Sequence, residues 1–125
     1  MRDAPRRGEL WSVYTPGQPD DLNQPRPALI ISTDARNQFS DDVIIIPIFS
    51  AGRVGPTRVA LPAGAGGIRH DSILYCEEIT TLDRVFLARG PFGPSVPESV
   101  LQRVLRAVRR ALGEAVPEPR WRLSR

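Results

Sequence analysis

Residues 24–32 run Gln-Pro-Arg-Pro-Ala-Leu-Ile-Ile-Ser, so Arg26 stands between two prolines directly ahead of an apolar run. Each proline fixes its own φ and disfavours the helical region for the residue before it. Arg26 is therefore held extended on a stiff lead-in, at the mouth of a buried strand. A charge needed only for solubility requires no such restraint. Residues 49–58, Phe-Ser-Ala-Gly-Arg-Val-Gly-Pro-Thr-Arg, follow a second apolar run. In a small barrel the ends of adjacent strands and their loops converge. Arg26, Arg53 and Arg58 are thus expected to share one electropositive concavity with Ser50 and Thr57. Guanidinium forks match phosphate oxygens, so such a concavity suits a phosphodiester.

Other groupings carry less. Ala63-Gly64-Ala65-Gly66-Gly67 lacks the Lys-Ser/Thr of a phosphate loop and precedes a strand, so a flexible hairpin is expected. His70, Asp71 and Ser72 hold the parts of a hydrolase triad, but neighbours in an extended chain face opposite ways. No second histidine exists to take that role. Asp20/Asp21, Asp41/Asp42 and Glu77/Glu78 fit no metal-ligand pattern and are expected on the surface. One cysteine excludes an internal disulfide, and with one histidine it falls short of a Cys/His zinc site. Cys76 is expected to be a small core residue. Arg103, Arg106 and Arg110 share a helix face expected to be solvated. Trp121, between Arg120 and Arg122, could stack on a base or pack loosely on the body.

The elements that must position these residues follow from the apolar pattern. At 125 residues the chain has room for one domain, expected to have its core at about 8–113 and flexible ends at 1–7 and 114–125. Strands are expected at 9–14, 28–32, 41–49, 57–61 and 71–79, the third buried on both faces. One helical turn fits 33–39, capped by Thr33 or Asp34. Val100, Leu101, Val104, Leu105, Val108 and Leu112 form one stripe at helical spacing. Ser95 suits that helix as N-cap, Pro97 its first turn and Gly113 its end. The fold class is α+β, mainly β: five or six short strands forming a small barrel, capped by a C-terminal amphipathic helix.

All 17 basic residues are arginine and the net charge is +3, which permits a nucleic-acid partner. A compositional bias would give the same excess. The N-terminal stretch has no apolar segment of the secretory kind, and the longest apolar run, 43–49, is too short to span a bilayer. A soluble cytoplasmic protein without membrane contact is expected.

Six segments in order, Arg-Gly-Glu-Leu-Trp (7–11), Arg-Pro-Ala-Leu-Ile-Ile-Ser (26–32), Ile-Ile-Ile-Pro-Ile-Phe-Ser (44–50), Pro-Thr-Arg-Val-Ala-Leu (56–61), 71–83 and the closing helix, resemble the MazF/PemK toxins. The resemblance implies an SH3-like barrel and a homodimer. It also implies an endoribonuclease of a toxin–antitoxin module that cuts single-stranded mRNA selectively, without metal or other cofactor, and is blocked by a cognate MazE-like antitoxin. Arg26 matches the family's catalytic arginine at the strand entry. The family's Thr after the buried strand falls on Phe49, so the catalytic hydroxyl is assigned to Ser50, the next residue. RNA contacts are assigned to Asn23, Gln24, Phe49, Arg53, Thr57 and Arg58. The loop before Arg26 lacks the family's glycines, and 78–81 lacks its arginine. A same-fold protein that does not cut is the alternative: a gyrase inhibitor of the CcdB kind, or an impaired RNA-binding relative.

Overall fold

The computed structural model describes residues 4–14 and 24–117. The chain forms β1 (Leu10–Val13), β2 (Arg26–Ile30), a short α1 (Asp34–Phe39), β3 (Asp42–Phe49), β4 (Arg58–Leu61), β5 (Ser72–Tyr75), β6 (Thr80–Asp83), β7 (Leu87–Arg89) and α2 (Glu98–Ala111). The strand order is β4-β5-β3-β2-β1-β7, with β6 also paired to β3, and every pairing is antiparallel. The eight-residue β3 organises the rest. Its first half pairs with β6, its last two residues with β5, and its middle with β2.

Successive side chains of a strand face opposite ways, and this sheet buries apolar groups on both sides. Leu10, Leu29, Ile46 and Ile48 enter a core closed by α2, whereas Trp11, Ala28, Ile30, Val43 and Ile45 enter a second cluster with Leu82. Burial on both faces of β3 therefore holds for the pair Ile45–Ile46; towards the ends burial alternates. Helix α2 covers the first core through Val100, Leu101, Val104, Ala107 and Val108. Leu112, counted in the predicted stripe, lies past the helix end and is 77% exposed. Truncating a fully buried Leu29 or Leu74 to Ala costs about 2–5 kcal/mol.

The mainly-β architecture with a closing helix is as expected. The ladder path ends at β4 on one side and β7 on the other, so among the described residues the pairing is an open sheet rather than a closed barrel. Among the described residues seven strands form rather than five or six, because 80–89 folds into β6 and β7 around a turn at Arg84–Phe86. The strand expected at 71–79 stops at Tyr75. There the Cys76 amide donates to Thr57 O at 3.0 Å and the chain turns through Cys76–Glu78.

Several segments expected to be loose are packed. Pro5 is buried and its carbonyl accepts from Asn37 Nδ2 at 3.0 Å, while the Gly8 amide donates to Ile30 O at 2.8 Å. Residues 4–7 are thus tied to the body. The glycine run at 63–67 is a tight turn seated on the core: a Cβ at Gly66, where φ is +62°, would come within 2.8 Å of Leu10 Cγ and 2.9 Å of Val96 Cγ1. Pro97, rather than Ser95, is the N-cap of α2, because Ser95 Oγ donates instead to Arg7 O. Thr33 caps α1 as expected, accepting from the Arg36 amide, and Gly113 adopts φ +99° just past the end of α2. Asn37 is fully buried and satisfied by Pro5 O, Ser32 O and Ser32 Oγ.

Candidate nucleic-acid interface

Arg26 is the first residue of β2, paired across to Val13 of β1, so it belongs to the strand and not to a lead-in before it. The β2/β3 register pairs Ala28 with Pro47. Continued two residues, it brings Arg26 level with Phe49, where β3 ends and Ser50 begins the next loop. Arg26, Phe49 and Ser50 accordingly wall one cavity of about 650 Å³. Its far walls bring Arg69, His70 and Arg89 from two other segments. Among the described residues, no carboxylate lines it. Arg26, Ser50, Arg69, His70 and Arg89 are all exposed. Such a wall attracts an anion, and a planar guanidinium can bond two phosphoryl oxygens at once.

The expected cluster is assembled only in part. Arg58 turns away and is engaged by Glu77, its Nε at 2.8 Å and its Nη2 at 2.7 Å from Oε2. Thr57 Oγ1 lies 3.2 Å from the other oxygen of that carboxylate. The hydrogen bond from Arg58 holds the Glu77 carboxyl below its ordinary value, against the opposing effect of burial. Arg58 Cζ also sits 3.9 Å from the centroid of the Tyr75 ring, and Phe49 packs on the same ring at 4.4 Å. Tyr75 Oη in turn donates to Ala51 O at 2.6 Å. Thr57, Arg58, Tyr75 and Glu77 therefore form a brace beneath the loop carrying Ser50, outside the basic cavity. Arg53 is exposed in that loop and does not line the cavity. Gln24 is exposed; Asn23, Asp20, Asp21 and Trp121 lie outside the described residues.

The arginine face of α2 is half-buried rather than solvated. Arg110 Nη1 donates to Pro56 O at 3.2 Å and its Nε to Val116 O at 3.0 Å, binding the helix end to two loops. Cys76 is a core residue, as expected, and burial pushes its thiol up to about 12. Among the described residues, no three His, Cys, Asp or Glu side chains are placed to hold a metal ion. Arg69, His70 and Arg89 were missed as cavity residues. Arg69 and His70 are neighbours, but nothing in the spacing of the chain links them to Arg89 or to Arg26.

A small antiparallel sheet with one covering helix, carrying at its strand ends a cavity lined by three arginines and a histidine, defines a mainly-β domain with a candidate anion site. Residues 6–112 match the family described as PemK-like, MazF-like toxin of type II toxin-antitoxin system, and the chain belongs to that family. Endoribonuclease PemK of Escherichia coli is 30% identical over 102 residues, covering 79% of this chain and 75% of that protein. Endoribonuclease MazF of Staphylococcus saprophyticus is 32% identical over 84 residues, covering 63% and 68% respectively. Among solved structures, a mycobacterial endoribonuclease in complex with its cognate antitoxin superposes with a TM-score of 0.73 at 25% identity, covering 91% of this chain and 100% of that one. MazF of Deinococcus radiodurans gives 0.71 at 27% identity, covering 89% and 98%.

Proposed function

We propose that the protein is an endoribonuclease toxin that cuts single-stranded RNA selectively and without a metal, acting in the cytoplasm as a single-domain chain paired in a homodimer. The observation that carries this reading is the meeting of Arg26, at the start of β2, and Ser50, just past the end of β3, in one basic cavity that no carboxylate lines among the described residues. The nucleophile comes with the substrate: the ribose 2′-oxygen attacks the adjacent phosphorus and the P–O5′ bond breaks. The 2′-hydroxyl proton leaves to a base, the departing 5′-oxygen gains a proton, and a 2′,3′-cyclic phosphate remains. What the protein must supply is alignment and stabilisation of charge on the phosphoryl oxygens. Arg26 provides the charge. Its guanidinium is effectively never deprotonated, so it is not the base. Ser50 provides a hydroxyl donor beside it, in place of the threonine that Phe49 replaces.

The relatives' names add support, since PemK and MazF are endoribonucleases and the mycobacterial one is seen with its cognate antitoxin. An antitoxin of the MazE kind is the expected partner. The test is cleavage of RNA by the purified protein in EDTA. Fragments with a 5′-hydroxyl and a 2′,3′-cyclic or 3′-phosphate are expected, and a 2′-deoxy sugar at the cut site blocks them. Arg26→Ala lowers the rate by about 10²–10³-fold, the scale of one lost oxyanion contact. RNA left intact by the parent protein would select the non-cleaving alternative, and full activity in Arg26→Ala would remove that residue's role.

A further inference from the structure

Arg26, Pro27, Ile48 and Phe49 form a ridge, and a second cavity of about 350 Å³ lies on its other side. The two cavities differ in charge. Among the described residues, the first has Arg26, Arg69, His70 and Arg89 in its walls and no acid; the second has Glu78 and Asp83, and no cation except the shared Arg26. The second is also apolar underneath, where Val13, Ile45 and Leu82 of the smaller core cluster form its wall with Phe86. A strand of RNA seated with one phosphate on Arg26 can lay further phosphates in the first cavity. In the second, two carboxylates over an apolar floor repel them. What fits there is a flat, uncharged ring whose edge offers hydrogen-bond donors.

We propose that this second cavity reads a base flanking the scissile phosphate, and that Glu78 selects guanine; this rests on the endoribonuclease reading above. Guanine carries N1–H and N2–H side by side, matching the two oxygens of one carboxylate. Adenine and cytosine offer a single amino group next to an acceptor nitrogen. Uracil sets its one N–H between two carbonyl oxygens, which a carboxylate repels. Asp83 is already engaged, since its Oδ1 accepts from the Val85 amide at 3.0 Å. Glu78, two residues before β6 and at the same cavity wall, is the carboxylate placed to meet the base. The apolar floor strengthens that bond by holding water away from one side of it.

The test compares short RNAs that differ only at the nucleotides flanking the mapped cut site, carrying guanine, inosine or uracil there. At one flanking position the parent protein is expected to prefer guanine over uracil by about tenfold to a hundredfold, the scale of a bidentate contact to a base edge. Inosine, which lacks only the N2 amino group, is expected to fall about tenfold below guanine. Glu78→Gln, an exposed substitution that leaves the fold alone, is expected to abolish the guanine–inosine difference. The same series with a 2′-deoxy sugar at the cut site, followed by fluorescence anisotropy, measures the preference without any chemistry. Failure of cleavage on every RNA would count against the endoribonuclease reading, while a guanine preference in binding would still uphold the cavity's role. Equal handling of guanine, inosine and uracil at both flanking positions overturns the inference, as does a guanine preference that survives in Glu78→Gln.

Discussion

Gly52 and Tyr75 offer a double-mutant cycle on the loop that carries Ser50. Gly52 adopts φ +114°, and a Cβ built there overlaps the Tyr75 hydroxyl, with the ring Cζ next at 3.0 Å. Gly52→Ala therefore incurs two costs. The backbone strain of a non-glycine residue in that region is about 1–3 kcal/mol. Displacement of Tyr75 Oη also breaks its bond to Ala51 O, with a net loss of about 1 kcal/mol. The sum is about 2–4 kcal/mol. In Tyr75→Phe the hydroxyl is already gone, so the second substitution meets only the ring edge, which yields by a few tenths of an ångström. There Gly52→Ala should cost the strain alone, leaving a coupling of about 1 kcal/mol between the sites. Urea unfolding of the four proteins measures it through the shift in midpoint at constant slope. Effects that add within about 0.5 kcal/mol would refute the reasoning, because they would mean that the hydroxyl does not set the room available to residue 52.

Three further outcomes follow from the same region. Ser50→Ala should lower RNA cleavage at least tenfold with unfolding unchanged, whereas Phe49→Thr should lower stability by about 1–2 kcal/mol through the lost ring pair with Tyr75; cleavage and urea unfolding on both variants check this. Glu77 has a carboxyl depressed in the fold by Arg58, so its contribution is present above the ordinary value of 4.5 and is lost as pH falls through the lower folded value. Stability measured from pH 7 down to pH 3 should therefore decline less in Arg58→Met than in the parent. Cys76, buried and pushed up to about 12, should resist a thiol reagent at pH 8 and react at a rate that rises with urea, because only opening of the core frees a thiolate.

The elements with strong periodicity were legible in the chain. The β-branched run became β3, the helical stripe became α2, and Thr33 and Gly113 acted as cap and terminator. Misreadings arose where a long-range contact overrides a local signal. The glycine run looked flexible because its packing on Leu10 and Val96 comes from residues far away in sequence. Strand β5 ends early because the chain turns through Cys76–Glu78, although the Cys76 amide still bonds Thr57 O across the ladder. At the site the sequence pointed to Arg26 and Ser50, whose strands neighbour one another and whose register follows from burial. It was silent on Arg69, His70 and Arg89, since only the folded chain brings them to one wall. Arg58 looked like a free cation because nothing local shows that Glu77 lies across from it.

The residues that do the proposed chemistry sit at the ends of strands, while the interiors of those same strands hold the two cores. Arg26 and Ser50 are exposed, yet three residues inward on β2 and two on β3 lie the buried Leu29 and Ile48. Losing the reaction and losing the fold are thus separate events for this chain. A copy silenced at Arg26 keeps its cores, its helix and nearly all of its outer surface. An inhibitor that recognises that surface would be captured by the harmless copy as readily as by the active one, so a dead gene of this kind would act as a decoy and leave its living sister less restrained.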